Sequence, residues 1–245
     1  GRTVGVVAVD PSSRFTGGAL LGDRTRLKTD PDDQGVFVRS MAARDRLGGL
    51  SDHAVAAIVL MRAVYDRVIV ESVGIGQSEG DIAFVADTVV LCIQPGSGDS
   101  LQFMKAGVME LPDLVAVTKA DMGAAARRAK ADVEGALGLA NGGATDAWRA
   151  PVTLLSAVTG EGVADLLGAI DEHGAHARAS GAFASRRAAQ ERHWVIDQLT
   201  VRYGKAGVGL IRPDRVLAAG SGPFSRIRTL DAALSARLGQ EPLGL

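Results

Sequence analysis

The strongest constraint on the fold is a series of short, continuous apolar runs, each too brief for a helix and each followed by a polar or glycine-rich break. Thr3–Val9, Val68–Val70, Thr88–Ile93, Leu114–Val117 and Val152–Leu155 are such runs. Stretches of this length fit strands covered on both faces, as in parallel sheets. Between them lie helical segments: Asp52–Tyr65 with Val55, Ile58, Val59 and Val64 at helical spacing, Asp81–Val85, Ser100–Glu110, the alanine-rich Ala124–Leu139 stopped by Asn141-Gly142-Gly143, and Gly162–His173. Strands alternating with helices in this way predict right-handed βαβ crossovers and a doubly wound, mostly parallel α/β sheet. Residues 10–52 read as long loops around one or two helices, with a short strand candidate at Val36–Arg39.

The pattern changes after His173. Ala182–Tyr203 is one long amphipathic helical stretch carrying Trp194, Gly204, Gly207 and Gly209 interrupt it, and Ile227–Leu238 is a last helix candidate. We place a boundary near 174, with an α/β domain over 1–173 and a helical arm over 174–245. An apolar helix face on such an arm suits docking or self-association, so a homodimer is expected.

Composition narrows the class. A chain of 245 residues with formal net charge -1 carries no electrostatic footprint for nucleic acid. No run is long and apolar enough to span a bilayer, and the N-terminus lacks a secretory pattern, so no membrane partner and a cytoplasmic location are expected. Cys92 is the one cysteine. Lying in an apolar run, it reads as a buried structural thiol.

Chemistry concentrates where the apolar runs end. Glu71 follows Val68–Val70 and opens a loop with Gly74 and Gly76, whose missing Cβ atoms allow backbone N–H groups to approach a phosphate. Taken alone, this stretch also suits a tight strand-to-helix turn with a surface Glu. Leu114–Val117 runs into Thr118-Lys119-Ala120-Asp121, which fits the [N/T]KxD guanine-reading element. A carboxylate there accepts hydrogen bonds from guanine N1–H and the 2-amino group while the Lys methylenes cover the base. Ser156-Ala157, one strand later, matches the element that supports the guanine O6 side.

These residues together resemble the MeaB/ArgK family of GTPases, the group that includes the human methylmalonic aciduria type A protein. DPSSRFTGGALLGDRTR at 10–26, FVRS and LGG within 37–49, ESVGIGQSE at 71–79, PGSGDSLQFMKAG at 95–107 and TKAD at 118–121 follow its pattern, over residues 1 to about 200. The resemblance implies a P-loop GTPase fold. It implies a chaperone that binds GTP and GDP with Mg²⁺, hydrolyses GTP slowly, and gates loading and protection of adenosylcobalamin on methylmalonyl-CoA mutase or a related acyl-CoA mutase. By the same resemblance Asp10 and Glu71 order Mg²⁺ and its waters, and Glu71, Gly74 and Gln77 serve catalysis. Thr118, Lys119, Asp121, Ser156 and Ala157 bind guanine, while Asp99 and Lys105 belong to a switch that reports nucleotide state to the mutase.

One departure stands out: no G-x-x-x-x-G-K-[S/T] run occurs in the 245 residues. Gly204-Lys205 is followed by Ala206 and has Leu199 where the first glycine belongs. The family pattern places this P-loop ahead of Gly1, so the expectation is a chain cut off before it and, as it stands, a poor nucleotide binder. Asp171-Glu172-His173 begins like a cobalamin-binding DxHxxG element, but position 176 is His, and the His173/His176 pair is assigned a helix-end role. Gly74-x-Gly76 lacks the third glycine of a dinucleotide fingerprint. The rival readings are a nickel-insertion accessory GTPase and a nucleotide-independent interaction module.

Overall fold

A computed structural model describes residues 1–10, 32–42, 50–72, 79–96, 111–140, 148–211 and 222–239. In chain order the elements are β1 (Val4–Asp10), β2 (Val36–Ala42), α1 (Asp52–Met61), β3 (Arg67–Glu71), α2 (Glu79–Ala83), β4 (Val90–Ile93), β5 (Leu114–Val117), a 3₁₀ turn (Ala120–Met122), α3 (Ala124–Ala140), β6 (Val152–Leu154), α4 (Val163–Ala179), α5 (Ala182–Val208) and α6 (Pro223–Leu238). The chain forms two compact units, Gly1–Val73 with Ser185–Leu245, and Gly74–Ala184. Among the described residues strands alternate with helices as expected, and every strand pairing is parallel. The expected helix at 100–110 and most of the loops between 10 and 52 lie outside the described residues.

In the first unit the strand order is β2-β1-β3. Val4 pairs with Val36 on one side and Arg67 on the other, and the register runs on to place Ala8 beside Glu71 and Asp10 beside Ala42. The middle strand is the covered one: Val7, Ala8 and Val9 are buried. The run Val68–Val70, which reads as covered on both faces, stands last in that order among the described residues, and Ile69 within it is 55% exposed.

Helix α1 starts where the sequence can cap it. The Ser51 hydroxyl accepts the Ala54 N–H at 3.3 Å, and Asp52 adds negative charge to the first turn. Its buried residues are Ala54, Ile58 and Met61. Gly5 allows the close approach of this segment to β1: a Cβ there would run into Met61 Cε and lie 2.9 Å from the Tyr65 ring. Ahead of β1, the Thr3 N–H and hydroxyl both donate to Asp66 Oδ2, at 2.7 and 3.0 Å, tying its entry to that of β3.

The arm belongs to this same unit from Ser185 onward. Helix α5 kinks at Gly204 (φ 65°), where the sequence expects an interruption. Trp194, Val195 and Leu199 pack with Ile227, Leu230 and Leu234 of α6, and Val55, Ala56 and Val59 of α1 join them. The Trp194 face, which suggested self-association, is therefore occupied within one chain. Beside this core the Asp231 carboxylate, 2% exposed, accepts from the Tyr203 hydroxyl at 2.7 Å and Arg202 Nη1 at 3.0 Å. Residue 174 lies inside α4.

In the second unit the order is β4-β5-β6, and all four residues of the middle strand β5 are 0% exposed, as its sequence predicts. Ile93, Val115, Val117 and Val152 share a core with Val133 and Leu137 of α3. Cys92, read as a buried thiol, is exposed among the described residues, although the atoms around its sulfur desolvate it enough to push the thiol upward. His173 is buried in mid-helix instead of serving a helix end. Its Nδ1 lies 2.9 Å from Thr88 Oγ1, its Nε2 lies 3.3 Å from Asp113 Oδ1, and the Trp148 ring packs edge-on against it. No helix among the described residues is long and apolar enough to cross a membrane.

Candidate functional site

The predicted guanine-reading residues all lie in the second unit, at the carboxyl ends of β5 and β6, where parallel sheets deliver their chemistry. Leaving β5, Thr118 is tied down twice, its N–H donating to the Ile93 carbonyl at 2.8 Å and its hydroxyl to the same oxygen at 3.2 Å. Lys119 then adopts φ 56° and ψ 47°, the one positive φ at a non-glycine residue among those described. This left-handed step leads directly into the 3₁₀ turn Ala120–Met122. It costs a residue with a Cβ about 1–2 kcal/mol, a price in strain found mostly at functional positions. The Lys119 side chain is exposed.

Asp121 follows within the turn, with an exposed side chain whose Oδ1 accepts the Ser156 hydroxyl at 2.6 Å. Ser156 is 0% exposed, and its oxygen also accepts the N–H groups of Val158 at 3.3 Å and Thr159 at 3.2 Å. One donated and two accepted bonds use the full capacity of a hydroxyl. The Asp121 carboxylate is thus oriented by a side chain that has no freedom to rotate. Leu155 ties the two strand ends together: its N–H donates to the Val117 carbonyl at 2.8 Å, and its carbonyl accepts the Ala120 N–H at 3.0 Å. Ala157 is exposed beside Ser156.

The metal-ordering candidates lie in the first unit. Asp10 ends β1 and Glu71 ends the adjacent β3, with Ala8 of β1 paired to Glu71. Glu71 is exposed. Two carboxylate-bearing positions at neighbouring strand ends suit Mg²⁺, a hard cation that takes one or two protein carboxylates and keeps several waters. Gly74, Gln77, Asp99 and Lys105 lie outside the described residues.

Sequence reasoning found the residue types but not two features of their arrangement. One is the left-handed Lys119, which no glycine signals. The other is the engagement of the Ser156 hydroxyl with Asp121, since the motif reads only as backbone and serine near the base. The Asp113–His173–Thr88 cluster was missed altogether, its members being separated in the chain.

A parallel α/β sheet with a TKAD loop braced by a buried serine one strand later defines a P-loop GTPase class of fold. The comparisons carry this to a family: residues 1–205 match the description "Methylmalonyl Co-A mutase-associated GTPase MeaB", and the chain belongs to that family. The mouse protein named methylmalonic aciduria type A homolog, mitochondrial, is 38% identical over 198 residues, 80% of this chain and 48% of its own length. A Pyrococcus horikoshii protein whose name carries the word GTPase is 45% identical over 194 residues, 76% of this chain and 59% of its own. The chain therefore spans about half to three-fifths of these curated relatives. Among solved structures, that of an LAO/AO transport system kinase superposes with a TM-score of 0.60 at 23% identity, covering 98% of this chain and 72% of the other. The hydrogenase maturation factor HypB of Archaeoglobus fulgidus gives 0.50 at 17% identity, covering 70% and 75%. Both likenesses are of fold.

Proposed function

We propose that the protein binds GTP, hydrolyses it to GDP and phosphate, and uses its nucleotide state to gate loading and protection of adenosylcobalamin on methylmalonyl-CoA mutase or a related acyl-CoA mutase. The observation that carries the nucleotide part is the 2.6 Å bond from Ser156 to Asp121, which presets a carboxylate at a strand end where guanine specificity requires one. Family membership supports the mutase as partner.

In this reading Asp121 accepts the guanine N1–H and 2-amino hydrogens, and the Lys119 stem covers the base. The left-handed backbone at Lys119 is consistent with that role. Adenine presents neither donor, so the same carboxylate that holds GTP rejects ATP. Asp10 and Glu71 would hold Mg²⁺, in part through water, and the ion would neutralise charge developing on the transferred phosphoryl group. Glu71 orders water at the end of β3. Gly74 and Gln77 take the catalytic loop roles, and Asp99 and Lys105 the switch roles, that the family resemblance implies.

The test uses full-length native protein with the mutase. With GTP, GDP or no nucleotide present, complex formation and transfer of adenosylcobalamin to the apo-mutase are followed by gel filtration and visible absorbance. The expected result is a complex whose cofactor transfer changes between GTP and GDP, with Glu71→Ala lowering GTP turnover and its magnesium dependence. Transfer indifferent to the nucleotide would refute the gating role.

A further inference from the structure

We infer that Gly162 is a positioning residue for guanine recognition, acting on Asp121 through the loop that joins β6 to α4; this rests on the guanine reading proposed above. The loop 156–162 is closed on itself. The Ser156 N–H donates to the Glu161 carbonyl at 3.0 Å, the Gly160 N–H to the Ser156 carbonyl at 2.9 Å, and the Glu161 N–H to Thr159 Oγ1 at 3.3 Å. At its centre the Ser156 hydroxyl takes the Val158 and Thr159 N–H groups and gives its own proton to Asp121. Closing this ring brings Gly162 back onto the end of β6.

Two glycines make the turn, and they differ in one respect. Gly160 and Gly162 both have positive φ, +76° and +73°. A Cβ on Gly160 would meet nothing within 4 Å, whereas a Cβ on Gly162 would collide with the Leu154 carbonyl oxygen and lie 2.9 Å from its carbon and 3.4 Å from Leu155 Cα. Backbone in a strand cannot give way as a flexible side chain can. A side chain at 162 therefore has to displace Leu154 and Leu155, or open the ring.

Either displacement reaches Asp121. Leu155 is hydrogen-bonded on both sides of the TKAD turn, to Val117 before it and to Ala120 within it. Opening the ring frees the Ser156 hydroxyl, which holds Asp121 Oδ1 directly. Two routes thus join position 162 to the carboxylate, and the one through Leu154 and Leu155 does not pass through position 160. Guanine offers that carboxylate two donors and hypoxanthine, lacking the 2-amino group, only one. The ratio of GDP to IDP affinity consequently reads the placement of Asp121, apart from any general loss of binding.

The experiment is isothermal titration of full-length native protein with GDP, IDP and ADP, in wild type, Gly160→Ala, Gly162→Ala, Asp121→Asn, and Asp121→Asn combined with Gly162→Ala. The expected result is a GDP/IDP ratio lowered at least about fivefold by Gly162→Ala and changed less than about twofold by Gly160→Ala, with Gly162→Ala adding nothing in the Asp121→Asn background. Equal effects of the two glycine variants, or a Gly162→Ala effect that weakens GDP and IDP alike, would overturn the inference while leaving guanine recognition standing. A wild type that prefers ADP would overturn the guanine reading and this inference with it. If Gly162→Ala does not fold, Thr159→Ala loosens the same ring without touching Leu154. It should lower the ratio by a smaller factor, and an unchanged ratio there would equally overturn the inference.

Discussion

Replacing Lys119 by glycine should make the protein more stable and less able to hold its nucleotide. Lys119 holds φ 56° and ψ 47° at the end of β5, with no side-chain cap bond to offset the strain. A residue with a Cβ loses about 1–2 kcal/mol in that conformation, and glycine does not. Glycine also raises the entropy of the unfolded chain, which costs about 0.4–1 kcal/mol. The net gain of Lys119→Gly over Lys119→Ala is then about 1 kcal/mol, equivalent to about 2–4 °C in melting temperature for a chain of this size. Both variants lose the methylene stem, so both should bind GTP more weakly than wild type and to a similar degree. The assay is urea unfolding followed through Trp148, which lies in the same unit, in a Trp194→Phe background that silences the other unit's indole. If Lys119→Ala proves as stable as Lys119→Gly, the left-handed turn is not a source of strain. If Lys119→Gly retains full GTP affinity, the stem does not cover the base.

Gly5→Ala should cost about 1–3 kcal/mol by forcing Met61 and Tyr65 away from β1, and an unchanged calorimetric midpoint would contradict that close approach. Asp66 is held below its usual carboxylate value of 3.8 by the Thr3 N–H and then by the Thr3 hydroxyl. Its contribution to stability is therefore present above about pH 4 and lost as pH falls through the lower folded value; Asp66→Asn should remove that part of the acid dependence, as acid titrations of both proteins would reveal. Tyr203→Phe removes a donor from the buried Asp231 carboxylate and should cost about 1.5–3 kcal/mol. Desolvation also raises the Tyr203 phenol above 10.0, so the unfolded chain ionises first and stability is lost as pH rises beyond about 10; urea midpoints near neutrality and near pH 11 should show that slope in wild type and not in Tyr203→Phe.

How much was legible in the sequence depended on whether a feature is local. Leu114–Val117 and Val68–Val70 look alike as apolar runs, but among the described residues only the first has a strand on each side, because strand order is decided by pairings far apart in the chain. The same blindness placed Cys92 in the core. The placement of TKAD and Ser156-Ala157 at strand ends was readable because each follows a short apolar run closely. Their mutual bond spans 35 residues and could not be read. His173 looked like a helix-end histidine because its partners, Thr88 and Asp113, come from the starts of other strands. Gly160 and Gly162 are equivalent as letters; only the Leu154 carbonyl distinguishes them.

The most direct test of the account is a competition among GTP, XTP and ATP on full-length native protein, wild type and Asp121→Asn. In the proposed reading the Asp121 carboxylate takes two hydrogen bonds from guanine, each worth about 1.5–3 kcal/mol when charge-assisted. An asparagine amide in its place donates instead, which suits the C2 carbonyl of xanthine. Wild type should prefer GTP over both rivals, and Asp121→Asn should weaken GTP by one to a few orders of magnitude while improving XTP relative to it. A wild type that prefers ATP, or a variant whose GTP/XTP ratio does not move, would remove Asp121 from the nucleotide site and contradict the account.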